Sequence, residues 1–218
     1  MKRFSIFGAS GFGREVLPLV HRQLETEKSP WDLVLVDDNP PAAEQNGHRV
    51  LTYKDWLAEP ATSRHITLAI ANSVVREKLV QRCEADGVEF MDVKASNVMV
   101  LDEVQIGAGA ILNPFVCLTS NIKIGKQFHA NIYSYVAHDC VIGDYVTFAP
   151  GVKCNGNVLI EDHVYIGTGA ILKQGKPGAP LVIGRGAVIG MGAVVTKSVP
   201  AGVTVVGNPA RPMEPRSK

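Results

Sequence analysis

The sequence predicts two units in tandem: an α/β N-terminal domain with a small parallel, Rossmann-like sheet, then a parallel β-helix of six-residue repeats. Three observations carry this expectation. Apolar runs alternate with helical segments before residue 92, a glycine-rich turn occupies Gly8 to Gly13, and a six-residue period runs from Val100 to Leu172. The boundaries follow as 1–92 for the first domain, 93–206 for the solenoid and 207–218 for a tail.

In chain order, Lys2–Phe7 reads as a short apolar strand entering Gly8-Ala9-Ser10-Gly11-Phe12-Gly13, with a helix from Arg14 to Gln23. Trp31–Val36 reads as a second strand ending in Asp37-Asp38, and His65–Ala71 as a third, followed by a helix from Ser73 to Asp86. The glycine run is GxxGxG rather than the GxGxxG of dinucleotide folds. Glycines at a strand-to-helix turn still let a phosphate or ribose approach the backbone and the helix N-terminus. The acidic pair at the end of the second strand lies where such folds place a ribose or base contact.

From Val100 the chain steps by six through Ile106, Leu112, Leu118, Ile124, Ala130, Val136, Ile142, Phe148, Cys154, Ile160, Ile166 and Leu172. A second file runs four residues behind each: Val104, Ala110, Val116, Ile122, Phe128, Ser134, Cys140, Val146, Val152, Val158, Val164 and Ala170. A helix of period 3.6 cannot hold that register. A solenoid of three short faces per coil can, each coil taking about 18 residues and burying its apolar files by stacking on its neighbours. Gly107, Asn113, Gly125, Asn131, Gly143, Asn155 and Gly167 follow the first file and read as corner residues. After Leu172 the phase slips, and KQGKPGAPLV reads as a loop protruding from one corner. The period resumes at Ile183, Ile189 and Val195 and stops near Pro200, leaving a Pro-rich irregular cap.

Composition narrows the function. With 22 Lys+Arg against 21 Asp+Glu the chain lacks the basic balance that nucleic acid as a main partner demands. No apolar run approaches a membrane span, and MKRFSIFGASG breaks into glycine too early for a signal peptide. Cys83, Cys117, Cys140 and Cys154 form no CxxC pair; Cys140 and Cys154 fall in core files, which predicts buried free thiols in a reducing cytoplasm.

Polar residues that interrupt the repeat mark the chemistry. His138 lies two residues past the inward Val136 and points outward; Asp139 follows and can hold one imidazole nitrogen, leaving the other basic. One coil on lies Gly156, where a bare backbone N–H can serve as an oxyanion donor. His129 and His163 read as surface residues, and no ligand spacing links them with His138 into a metal site.

The chain resembles the NeuD/PglD-type acetyltransferases, the sialic-acid O-acetyltransferase and bacillosamine-pathway N-acetyltransferase group. The resemblance is carried by GASGFGREV, AIANSVVREKL, NIYSYVAHDCVIGD, APGVKCNGNV and VVGNPARP. It implies a left-handed β-helix, a homotrimer, and acetyl-CoA as co-substrate in a groove between adjacent subunits, with no metal. His138 would match the catalytic base, Asp139 would stand where some relatives carry Glu, and Gly156 would match the donor to the acetyl carbonyl. Gly167, Thr168, Met191 and Gly192 would contact CoA. Gly8, Ser10, Gly11, Gly13, Asp37 and Asp38 would bind the nucleotide of the acceptor, with Asn72 in the same pocket and Asn131 on the sugar. The expected reaction is N-acetylation of a nucleotide-linked amino deoxysugar in bacterial surface-glycan biosynthesis. Phe12 stands where amino-sugar enzymes of the group often carry His, which leaves sugar O-acetylation of the sialic acid type as an alternative. A non-catalytic nucleotide-sugar-binding solenoid and a small-molecule acetyltransferase that uses no nucleotide are the readings from other classes.

Overall fold

The computed structural model describes residues 1–213. Two compact units divide it, Met1–Lys94 and the chain from Ala95 onward.

The first unit runs β1 (Lys2–Phe7), α1 (Gly11–Leu24), β2 (Trp31–Val36), β3 (Glu44–Gln45), β4 (His48–Leu51), α2 (Tyr53–Ala58), β5 (Ser63–Leu68), α3 (Ser73–Ala85) and β6 (Glu89–Phe90). The sheet order is β3-β4-β2-β1-β5-β6. β1 pairs in parallel with β2 and β5 and is buried over Phe4–Phe7, because strands covered on both sides need near-continuous apolar sequence. The sheet is mixed rather than purely parallel, since β3 closes one edge antiparallel to β4. That hairpin turns at Asn46-Gly47, whose φ values of 49° and 77° are those of a tight two-residue hairpin turn. Helix α2 opens on a cap in which the Thr52 side chain accepts from the Asp55 N–H, and it buries Tyr53 and Trp56.

The second unit is a left-handed parallel β-helix of three sheets. Face A stacks Met99–Val100, Cys117–Leu118, Tyr135–Val136, Lys153–Cys154, Ile171–Leu172 and Val194–Val195. Face B stacks Val104–Ile106, Ile122–Ile124, Val141–Ile142, Val158–Ile160 and Leu181–Ile183. Face C stacks Ile111–Leu112, His129–Ala130, Thr147–Phe148, Tyr165–Ile166, Val188–Ile189 and Thr204–Val206. Cys117 pairs with Tyr135 and Tyr135 with Lys153, one coil apart each time. Both apolar files point inward and are buried from Ala110 to Leu172. Their irregular members compensate in volume: Phe128 and Phe148 meet edge-on at 5.2 Å beside the small Ala130.

Two details differ from the sequence expectation. Left-handed backbone falls not on the residues after the first file but two positions later, at Glu103, Gly109, Phe115, Asn121, Gln127, Tyr133, Asp139, Tyr145, Gly151, Asn157, His163 and Gly169. Gly107 and its equivalents are required instead by contact between coils: a Cβ on Gly107 would stand 2.6 Å from the Lys126 nitrogen. The solenoid also does not stop near Pro200. The last A–B corner is two residues short, so Val199 pairs with Ile183 and Val205 with Ile189, and Arg211–Pro212 adds an antiparallel strand to Val205–Val206. Residues 214–218 of the expected tail lie outside the described residues.

Candidate active site

The six-residue step carries the chain round one corner of the triangular coil at a time. His138 and Asp139 sit on the A–B corner between Tyr135–Val136 and Val141–Ile142; Gly156 sits on the same corner one coil further. His138 Nδ1 lies 2.8 Å from Asp139 Oδ2, with both side chains 48% exposed. Asp139 has φ of 57°, so the corner's left-handed residue is the one that turns its carboxylate back to the imidazole. The ring lies over Gly156: a Cβ there would stand 2.6 Å from His138 Nε2. Glycine is the residue that lets the imidazole occupy that place.

The Gly156 N–H makes no hydrogen bond among the described residues, and neither does His138 Nε2. His138 Nε2 is an unused acceptor on a half-exposed ring, and the Gly156 N–H is an unused donor on the buried residue beneath it. Neighbouring backbone groups of that corner are tied between coils. The Asn157 N–H donates to the His138 carbonyl at 3.0 Å, and the Gly175 N–H donates to the Gly156 carbonyl at 2.9 Å. The inserted loop therefore leaves from this same corner, where Lys176 and Ala179 exchange backbone hydrogen bonds to close it.

The sequence reading missed Tyr135 and Asn155. The Tyr135 hydroxyl donates to Asn155 Oδ1 at 2.9 Å, and Asn155 Nδ2 donates to the Leu172 carbonyl at 2.7 Å. Burial pushes the Tyr135 phenol up, which keeps it a donor. From inside the coil, Cys140 Sγ lies 3.3 Å from the Asn155 carbonyl, which belongs to the peptide unit that carries the Gly156 N–H. The Cys140 thiol and full burial hold Cys154 well above the usual thiol range, whereas the hydrogen bond with Cys154 lowers the Cys140 thiol, which is itself buried.

Gly167, Thr168, Met191 and Gly192 lie together on the C–A corner, at the opposite edge of face A. A Cβ on Gly167 would stand 2.6 Å from the Met191 nitrogen, and the Gly192 N–H donates to the Thr168 carbonyl at 2.8 Å. Asn131 shares that corner and is not brought to His138. Its Nδ2 donates to the Phe148 carbonyl at 2.8 Å, and its Oδ1 accepts from Asn113 at 3.3 Å, so the amide is part of the wall. Residues seven apart in a six-residue repeat fall on different corners.

In the first unit, Gly8, Asp37 and the segment after β5 meet at the carboxyl ends of β1, β2 and β5, where open α/β sheets bind ligands. Gly8 has φ of 111°, and Gly13 packs against the Gly8 carbonyl where a Cβ would collide. Nothing lies within 4 Å of the Cβ position of Gly11. Ser10 caps α1 through its backbone and leaves its hydroxyl exposed. The other three candidates already hold structural partners. Asp37 accepts from the Ala9 and Asn39 N–H groups at 3.0 Å, Asp38 pairs with Arg82 at 2.7 Å, and Asn72 caps α3 by accepting from Val74 and Val75.

His129 is fully buried, not a surface residue: it projects out of face C, but Ile111 and Thr147 on either side are covered with it. His163 stacks on Tyr145 at 5.1 Å. Among the described residues no three His, Cys, Asp or Glu side chains are placed to hold a metal, and no helix is long and apolar enough to cross a membrane.

Residues 3–83 match the PglD N-terminal domain family, and residues 121–156, which include His138 and Gly156, match the bacterial transferase hexapeptide family. A GDP-perosamine N-acetyltransferase of Escherichia coli O157:H7 is 53% identical over 98% of this chain and 97% of its own. The structure of WeeI from Acinetobacter baumannii AYE is 63% identical and superposes with a TM-score of 0.95 over 98% of this chain and all of that one. The acetyltransferase domain of PglB from Neisseria gonorrhoeae FA1090, solved in complex with acetyl coenzyme A, is 26% identical with a TM-score of 0.84, over 97% and 98% of the two chains. The chain belongs to the PglD/NeuD-type family of hexapeptide-repeat sugar N-acetyltransferases.

Proposed function

We propose that the protein transfers the acetyl group of acetyl-CoA to the amino group of GDP-perosamine or a closely similar GDP-linked amino deoxysugar. The observation that carries the mechanism is the His138 ring lying over Gly156 with Asp139 on its far nitrogen. Asp139 keeps the Nδ1 proton in place and leaves Nε2 as the base. His138 takes the proton of the amine as its nitrogen attacks the thioester carbonyl. The Gly156 N–H receives the negative charge that develops on the carbonyl oxygen. A C–N bond forms, the C–S bond breaks, and the proton on His138 passes to the departing thiolate. The wholly buried Cys140 and Cys154 take no covalent part.

The near-full-length N-acetyltransferase relative favours an amine acceptor over a hydroxyl, despite Phe12. Gly8, Ser10 and Gly11 are the nucleotide-facing set, with Gly13 packed against the Gly8 carbonyl and Asp37 pinning their turn rather than serving as a free ribose ligand. Gly167, Thr168, Met191 and Gly192 are assigned to CoA; the acetyl-CoA complex of the gonococcal relative supports a CoA site on this fold. A catalytic pair that is half exposed in a single chain favours a homotrimer in which a neighbouring subunit covers the corner. Four free cysteines favour a cytoplasmic setting.

The test is thiol release from acetyl-CoA with GDP-perosamine, other amino-sugar nucleotides and sialic acids as acceptors. GDP-perosamine is expected to lead, and His138→Ala to lower kcat by about 100-fold or more. Full turnover in that variant removes His138 from the mechanism; a preference for sialic acid returns the O-acetyl alternative.

A further inference from the structure

We infer that Tyr135 is a positioning residue for the oxyanion donor, acting through Asn155 on the peptide that carries the Gly156 N–H. The inference rests on the mechanism proposed above. It starts from a comparison of two corners of the same solenoid. On the C–A corner, Asn113 lies one coil beneath Asn131; its Nδ2 donates to Asn131 Oδ1 at 3.3 Å, while Asn131 Nδ2 donates onward to the Phe148 carbonyl. The Asn131 amide is thus fixed at both ends by its neighbours.

On the catalytic corner the residue one coil beneath Asn155 is Ala137, which has no amide to offer. Asn155 Nδ2 still donates upward to the Leu172 carbonyl, as in the other ladder. Its Oδ1 would lack the donor from below, and the Tyr135 hydroxyl, reaching along the outside of face A, supplies it at 2.9 Å. The small Ala137 precedes His138, so a methyl replaces a larger side chain beside the base while a phenol two residues earlier completes the ladder. An apolar or missing group at 135 would leave the Asn155 side chain held at one end.

The backbone consequence is local. The Asn155 carbonyl and the Gly156 N–H are two ends of one planar peptide unit, so whatever fixes Asn155 fixes the direction of the donor. Cys140 Sγ meets the carbonyl end from inside at 3.3 Å, and the side-chain ladder holds the residue from outside. A donor is useful to an oxyanion only when it is aimed beforehand, because turning it during the reaction would consume the stabilisation it provides. Loss of aim lowers the rate of the chemical step and leaves CoA affinity intact.

Three variants of the full-length protein test this: Tyr135→Phe, Asn155→Ala and the double variant, each assayed for kcat and KM with acetyl-CoA and GDP-perosamine, alongside wild type and His138→Ala. Tyr135→Phe is expected to lower kcat about 10-fold, with KM for acetyl-CoA within about 2-fold and an unchanged melting temperature. Asn155→Ala is expected to lower kcat further, and the double variant to be no slower than Asn155→Ala, since one route is then already cut. Multiplicative losses in the double variant, or wild-type kcat in Tyr135→Phe, overturn the inference. If Asn155→Ala does not fold, the kcat-against-KM result of Tyr135→Phe decides alone. An active His138→Ala instead counts against the mechanism itself, and so the two failures are told apart.

Discussion

At the residue scale the candidate site rests on three residues of one solenoid corner, His138, Asp139 and Gly156. Position 139 must accept φ of 57°, which Asp and Asn tolerate better than most residues, and Asp alone adds a charge at His138 Nδ1. Asp139→Asn keeps the backbone and removes the charge, so kcat is expected to fall by roughly 10- to 100-fold with KM little changed; steady-state kinetics check it. Position 156 must be bare, because a methyl group would enter the place of the imidazole. Gly156→Ala is expected to displace His138 and lower kcat by about 100-fold or more, while CoA still raises the melting temperature. The adjacency of His138, Asp139 and Gly156 was legible in the sequence because an eighteen-residue coil converts spacing into proximity. Tyr135 was not legible: it occupies an ordinary outward strand position, and its use depends on Ala137 being too small to complete the ladder.

At the element scale the charged cluster on β1, β2, β4 and the end of α2 sets an acid limit. Arg49 bridges Glu59 and Asp32 at 2.7 Å, and Arg3 reaches the same two carboxylates. The Arg49 guanidinium holds the Glu59 carboxyl below its ordinary 4.5. A carboxylate lowered in the folded state contributes stability above its unfolded value, lost as pH falls through the lowered one. The melting temperature is expected to drop below pH 4.5, and to drop less steeply in Arg49→Ala; scans of melting temperature against pH check both. The hairpin β3–β4 and helix α2 escaped the sequence reading although Asn46-Gly47 and Thr52 to Asp55 carry their signals, since each element is too short for a periodic pattern to develop. The inserted loop was legible as an insertion. Its attachment to the Gly156 carbonyl was not, because that follows from which corner the count reaches at Leu172.

At the scale of the whole molecule, the proposed homotrimer predicts a sedimentation mass three times the 23.4 kDa of one chain, with no monomer at working concentration. Thiol accessibility gives a second check: Cys83, Cys140 and Cys154 are buried and Cys117 is half-buried. Burial also pushes the Cys83 thiol up to about 11. A maleimide at neutral pH is therefore expected to modify Cys117 first in the native protein and all four residues after denaturation; early labelling of Cys140 would contradict the packing beneath the His138 corner. What the sequence determined by itself was the periodic part: the two-unit order, the coil, the inward files and the pairing of His138 with Gly156. All of these follow from repeat length, because a fixed step fixes the face and corner of every residue. Tertiary structure alone decided what covers an outward-pointing group and which polar atoms were already taken. His129 proved buried although it points out of its face, and Asn131, Asp37, Asp38 and Asn72 were bound into structural contacts. Hydrogen-bond partners and burial depend on chain segments far apart in sequence, and no local pattern encodes them.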